Sequence, residues 1–229
     1  MRNLTVNVYT TFQELIDAFP FEYASNSLPS WFKNLKTPNK KDVSDANVKM
    51  CPGITDLYNN SIILYATQDY DIEIFNGQIN VETPNVYGAE THPLESQASG
   101  AWPGYINIKI QYPYLLYCNS ATKFTMLPAT WSNKDPLRYT TVPGQVEFKY
   151  NHHCHINLLV KNENKKFTIK YGTPLAMLVP NTDKRINFNH HLISFEEWNN
   201  KVKKWNFGWN RVYQRTKSLI ERRNANTNT

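Results

Sequence analysis

Apolar residues recur at a period of two over much of this 229-residue chain, the spacing that turns every other side chain of a β-strand to one face. The clearest stretch is 143–180, PGQVEFKYNHHCHINLLVKNENKKFTIKYGTPLAMLVP, in which runs at 145–150, 155–160, 167–171 and 175–179 are separated by short turn signals. Leu4, Val6 and Val8 alternate near the start, Ile106, Ile108 and Ile110 in the middle, and further runs lie at 61–66, 71–75, 78–82, 114–118 and 123–127. Asn76-Gly77 joins two of them and predicts a tight hairpin, because both residues tolerate positive φ. About ten short strands with frequent turn signals predict a mainly β chain, an antiparallel β-sandwich or jelly-roll-like barrel. No alternation of strands with helices suggests a parallel sheet.

The period changes twice. Phe12, Leu15, Ile16 and Phe19 share one face of a short helix over 11–19, which Pro20 ends. From 194 onward the apolar positions are Phe195, Trp198, Val202, Trp205, Trp209, Val212 and Leu219, stepping by three and four, and Ser194 with Glu197 forms a capping-box pair before them. This is a C-terminal amphipathic helix, weakened at Gly208 by about 1 kcal/mol relative to alanine. Residues 21–49 read as an arm that pins Trp31 and Phe32 on the body and then crosses the surface. Cys51-Pro52-Gly53 reads as the opening of the strand series, and 83–104 and 128–142 as long loops, candidate rims for a binding site. The expected organisation is an N-terminal strand, short helix and arm over 1–50, a β core over 51–193, and a helical extension over 194–229.

Composition sharpens two points. Aromatic residues reach 14% and glycines number only 8, which excludes a disordered or glycine-rich fibrous body. The formal net charge is +6, but residues 201–229 hold eight basic side chains and one acid, so the other 200 residues are close to neutral. The basic excess belongs to the C-terminal helix. Three cysteines without paired spacing argue against a disulfide framework, with Cys51 and Cys118 expected in the core. With no apolar run long enough to span a bilayer and no leader pattern, the expected protein is soluble and not secreted.

Candidate chemistry is sparse. His153 and His155 fall on one face of a strand, the way many cupin-like barrels present two imidazoles to a divalent metal, although no carboxylate or third histidine follows at the usual spacing. Cys154 between them is either an activated thiol or a buried structural residue. No nucleophile elbow, phosphate loop or dinucleotide fingerprint is present, and no organic cofactor is expected. The basic helix is the other candidate. Trp198, Val202, Trp205, Trp209 and Val212 form its stripe and Lys203, Arg211 and Arg215 its charges, a pattern suited to binding a partner protein or a second copy of the chain. Nucleic acid is a further use through phosphate neutralisation and stacking, and an anionic membrane surface the last.

Two resemblances add to this. Pro143-Gly144 through Tyr150, the run ending in Asn162 and the Gly172 turn resemble the later half of dUTPase-like jelly rolls, which implies Glu147 at the position of the catalytic acid and Tyr150 at that of the sugar-stacking tyrosine. Asn151 replaces the glycine that follows in that family. Over 28–180 the chain is also similar to an uncharacterised β-domain family of phages, especially marine ones, and some bacteria, through Leu28-Pro-Ser-Trp31-Phe32-Lys33-Asn34, Cys51-Pro52-Gly53-Ile54, Pro143-Gly144 and Gly172-Thr-Pro174-Leu175. That similarity implies a phage origin and no assigned activity. The combined expectation is a non-enzymatic phage protein of the virion or host cytoplasm, a structural or assembly component that forms a homo-oligomer or binds other phage subunits through its C-terminal helix. The alternatives are a cupin-type metal-dependent enzyme using His153 and His155, and a dUTPase-like nucleotide-binding protein.

Overall fold

The computed structural model describes residues 3–37, 46–84, 89–92, 101–132, 138–149 and 153–205, together with residue 218. The chain is mainly β, and the described strands form three sheets. The large sheet runs β13 (Ile186–Leu192), β1 (Leu4–Thr10), β6 (Tyr105–Cys118), β10 (His153–Lys161), β8 (Tyr139–Thr141), with β5 (Ala89–His92) also on β6. A four-stranded sheet runs β2 (Ile62–Tyr65), β12 (Pro174–Pro180), β7 (Lys123–Pro128), β9 (Gly144–Glu147), and a three-stranded one runs β11 (Lys165–Ile169), β3 (Tyr70–Phe75), β4 (Gln78–Glu82). The arrangement is a sandwich of open sheets, as expected, and the jelly-roll-like barrel does not close.

Alternation in the sequence becomes alternation in burial. In β1, Leu4, Val6 and Val8 are buried while Thr5, Asn7 and Tyr9 face the other way, and in β3 Tyr70, Ile72 and Ile74 are buried between exposed neighbours. One continuous core joins the inner face of the large sheet (Val6, Ile108, Tyr114, Ile156, Leu158) to inner residues of both smaller sheets (Leu64, Ile72, Phe124, Leu178). The hairpin between β3 and β4 turns at Asn76 and Gly77, with φ of 49° and 78°.

Four expectations need correction. Cys51 opens a helix, α3 (Pro52–Asn60), and the strand series begins only after it: proline at its first turn supplies a helical φ, and Ile54, Leu57 and Tyr58 point one face at the four-stranded sheet. That face, with Phe32 of α2 (Ser30–Asn34), Ile63 and Met177, makes a second, smaller core on the outside of the sheet. Cys51 itself is exposed, whereas Cys118 is buried. The runs at 105–110 and 114–118 are one strand, β6, which continues through Pro113 because residues 112–114 of β6 stand opposite the single Cys154 of β10 there, an irregularity in which a missing N–H is tolerated. Finally, the large sheet is mixed, since β13 pairs with β1 in parallel, Leu4 opposite Ile186 through Thr10 opposite Leu192.

The arm after α1 (Gln13–Ala18) ties this parallel edge down. The Phe21 N–H donates to His190 Nε2 at 2.9 Å, the Ile186 N–H donates to the Tyr23 hydroxyl at 2.6 Å, and the Phe21 ring meets Tyr114 edge-on at 5.1 Å. Last comes α4 (Phe195–Trp205), capped as expected: the Ser194 hydroxyl accepts from the Glu197 N–H and the Glu197 carboxylate accepts from the Ser194 N–H, both at 3.1 Å. No helix among the described residues is long and apolar enough to cross a membrane.

Candidate functional site

The face of the large sheet turned away from the core holds most of the candidate chemistry. One row crosses four strands there: His191 on β13 stands opposite Tyr9 on β1, Tyr9 opposite Leu115 on β6, and Leu115 opposite His153 on β10. His191 and Tyr9 stack with ring centroids 4.7 Å apart and planes 20° from parallel, and the His191 Nε2 lies 2.9 Å from Asn7 Oδ1. From above, α4 sets Lys201 Nζ 4.2 Å from the centre of the Tyr9 ring, a cation–π contact that seats the helix on its own sheet. Burial, and then the nearby Tyr117, pushes the Tyr9 hydroxyl's pKa above its ordinary range. A ring that stays neutral keeps its phenol from competing for the ammonium.

His153 and His155 do share a face, as the spacing requires, and their rings stack at 5.1 Å with planes only 10° apart. They lie on the outer side of the sheet, not between the sheets. Each ring lone pair lies in the plane of its own ring, and here the two planes are nearly parallel. Among the described residues no three His, Cys, Asp or Glu side chains gather as a metal-binding group. Cys154 faces the opposite way, into the core, where burial pushes its thiol up to about 12. The activated-thiol reading of Cys154 is thereby overturned, because at that value the reactive thiolate is absent at neutral pH. His190 is part of β13; burial and then His191 lower its pKa, and its Nε2 accepts from the arm.

The remaining sequence candidates divide. Glu147 ends β9 with its side chain buried, beside Cys118, and Tyr150 lies outside the described residues. In α4, Trp198 and Val202 are half-buried while Phe195, the first residue of the stripe, is exposed; Lys203 and Trp205 fall within the helix, and Trp209, Arg211, Val212 and Arg215 lie outside the described residues.

Sequence reasoning missed one surface. Trp31 on α2 and Trp131 after β7 come together, their rings 6.0 Å apart and 35° from parallel, and the Trp31 indole N–H donates to the Trp131 carbonyl at 2.9 Å. Both stay accessible, at 40% and 44%. Phe32 behind Trp31 and Ser132, which contacts the Tyr58 hydroxyl at 3.3 Å, tie the pair to the smaller core. Nothing local in the sequence joins positions 100 residues apart, so the only available signal was the presence of tryptophan in two segments otherwise rich in loop residues. The chain matches no family model and no curated protein.

Proposed function

We propose that this protein works by contact and not by catalysis, as a virion-associated structural or assembly component of a phage. The observation that carries the reading is the Trp31–Trp131 pair. Two large rings are held in a fixed pose by a hydrogen bond and a backing core, and both remain in water. Tryptophan in that state is costly to leave exposed and is the residue most enriched at the centres of protein interfaces. The basic C-terminal segment, whose last 29 residues hold the chain's excess positive charge, offers a second contact element for subunits of the same particle.

The experiment combines mass spectrometry of purified virions with sedimentation of the isolated chain, each done for the native protein and for Trp31→Ala with Trp131→Ala. The expected result is incorporation into particles or self-association by the native chain. The double substitution should weaken it by at least about tenfold, the effect of losing one interface hot spot, at unchanged thermal stability. A chain absent from virions and monomeric at every concentration would overturn the proposal, as would an unaffected double variant.

A further inference from the structure

Phe75, the last residue of β3, points outward and is 63% exposed, on the strand face it shares with Asp71 and Glu73. Its backbone is fixed: the Asn76-Gly77 turn follows at once, and the Asn76 N–H donates to Asn164 Oδ1 at 2.8 Å, tying the hairpin to the turn before β11. A phenyl ring held this way at a hairpin tip is an apolar knob. The strand face around it is acidic. Asp69, Asp71, Glu73 and Glu82 stand there with Lys166 and Lys170, a net of −2. Lys170 pairs with Asp69 at 2.7 Å and Lys166 with Glu73 at 3.8 Å, whereas Asp71 stands directly opposite Glu82. Like charges placed so cost stability, and cations arriving from outside relieve them.

The Trp31–Trp131 face has the opposite charge. The described segments that build and flank it, 28–36, 46–50 and 129–132, hold Lys33, Lys36 and Lys49 and no carboxylate, and α3 behind them adds one, Asp56, for a net of +2. Lys49 is held in place: its Nζ donates to the Lys33 and Leu35 carbonyls at 3.2 and 2.6 Å and lies 6.0 Å from the centre of the Phe32 ring that backs Trp31. The Trp31 indole N–H is already used within the chain, so Trp31 offers a partner its ring, a surface suited to another aromatic side chain.

We propose that the Trp31–Trp131 face receives Phe75 and the acidic strand face around it from a second copy of this chain. The inference rests on the contact reading above and names the partner as this chain's own three-stranded sheet. The two surfaces share no residue, so the contact is heterologous. Each joined copy still presents one unused surface, and copies add head to tail into a ring or an open filament.

Sedimentation of the full chain tests it with two variants, Phe75→Ser lacking the knob and Trp31→Ala with Trp131→Ala lacking the platform; if the latter loses its native melting temperature, Trp131→Ser alone takes its place. The native chain should form species larger than a dimer as concentration rises, less so at high salt. Each variant alone should associate at least about tenfold more weakly. An equimolar mixture of the two should regain native affinity yet stop at a 1:1 dimer, because the intact knob and the intact platform then sit on different copies. A mixture that behaves as the two variants do apart would overturn the proposal. So would a Phe75→Ser chain that associates like the native one while the tryptophan variant does not, a result that keeps the contact reading and assigns the platform to a different surface. A native chain found in virions but monomeric at every concentration likewise overturns the self-pairing alone.

Discussion

His190 joins a titratable ring to the chain's parallel edge. Its Nε2 accepts the Phe21 N–H at 2.9 Å, which only a ring unprotonated at that nitrogen can do, and burial followed by His191 lowers its pKa from the ordinary 6.5. A histidine with a lowered folded pKa binds fewer protons folded than unfolded. Its contribution to stability is therefore complete above pH 6.5 and is lost as pH falls from there toward the lowered folded value. Urea unfolding between pH 5 and 8 should show this loss of stability on the acid side. His190→Gln, whose amide oxygen can accept the same N–H without titrating, should flatten that part of the profile; equal slopes in the two proteins would remove His190 as the cause. The neighbouring positions show how far residue chemistry is readable before folding. The spacing of His153 and His155 announced a shared face, and the rings do stack at 5.1 Å. The role of His190 depends on Phe21, 169 positions away, and no local pattern encodes that distance.

At the scale of elements, α4 is the piece whose stability is most open to a single change. The first-turn amides of a helix have no partner within it, and here Ser194 and Glu197 satisfy two reciprocally. Ser194→Ala should destabilise the helix by about 1 kcal/mol, seen as faster amide exchange at Glu197 and a weakened Lys201 contact with Tyr9, while the sandwich melts at nearly its native temperature. A variant with native exchange at Glu197 would show that the cap is idle. This helix start was legible because the capping box and the apolar stripe are both local. The Asn76-Gly77 turn was legible for the same reason, its φ values of 49° and 78° being what those residue types permit. Elements set by distant partners were not. Pro113 looks like a strand break until β10 is laid beside it and the two extra residues of β6 are seen to absorb it. The sequence of β13, INFNHHL, stops alternating after Asn189 because the inward His190 accepts from the arm and the outward His191 is half-buried against Tyr9. Proline at the first turn of α3 was the missed local clue, since the same residue that suits a loop also suits a helix start.

For the whole molecule, the first strand carries more than its terminal position suggests. The chain closes by laying β1 between β13 and β6, so residues about 180 positions apart in sequence share seven ladder positions. The large sheet therefore cannot form its β13 edge until almost the entire chain is available, and long-range pairing of this kind places folding on the millisecond-to-second scale typical of β-sandwiches. Val6 sits at the centre of the arrangement, opposite Phe188 on one side and Cys118 on the other, and is part of the main core. An aspartate there buries an unpaired charge, or spends several kcal/mol keeping it protonated, against a total stability of about 5–15 kcal/mol. Val6→Asp should consequently leave the chain unfolded, with lost near-ultraviolet dichroism and rapid proteolysis throughout. Phe75→Asp, at the exposed end of β3, introduces the same charge without entering the core and should remain folded. If Val6→Asp lost only β13 and α4 while β6, β10 and the smaller sheets stayed protected, the core would be divisible and β1 a mere edge clasp. A single continuous cluster that includes Leu4, Val6, Val8 and Ile186 together with Leu64, Ile72 and Phe124 predicts the opposite, one cooperative loss of all three sheets.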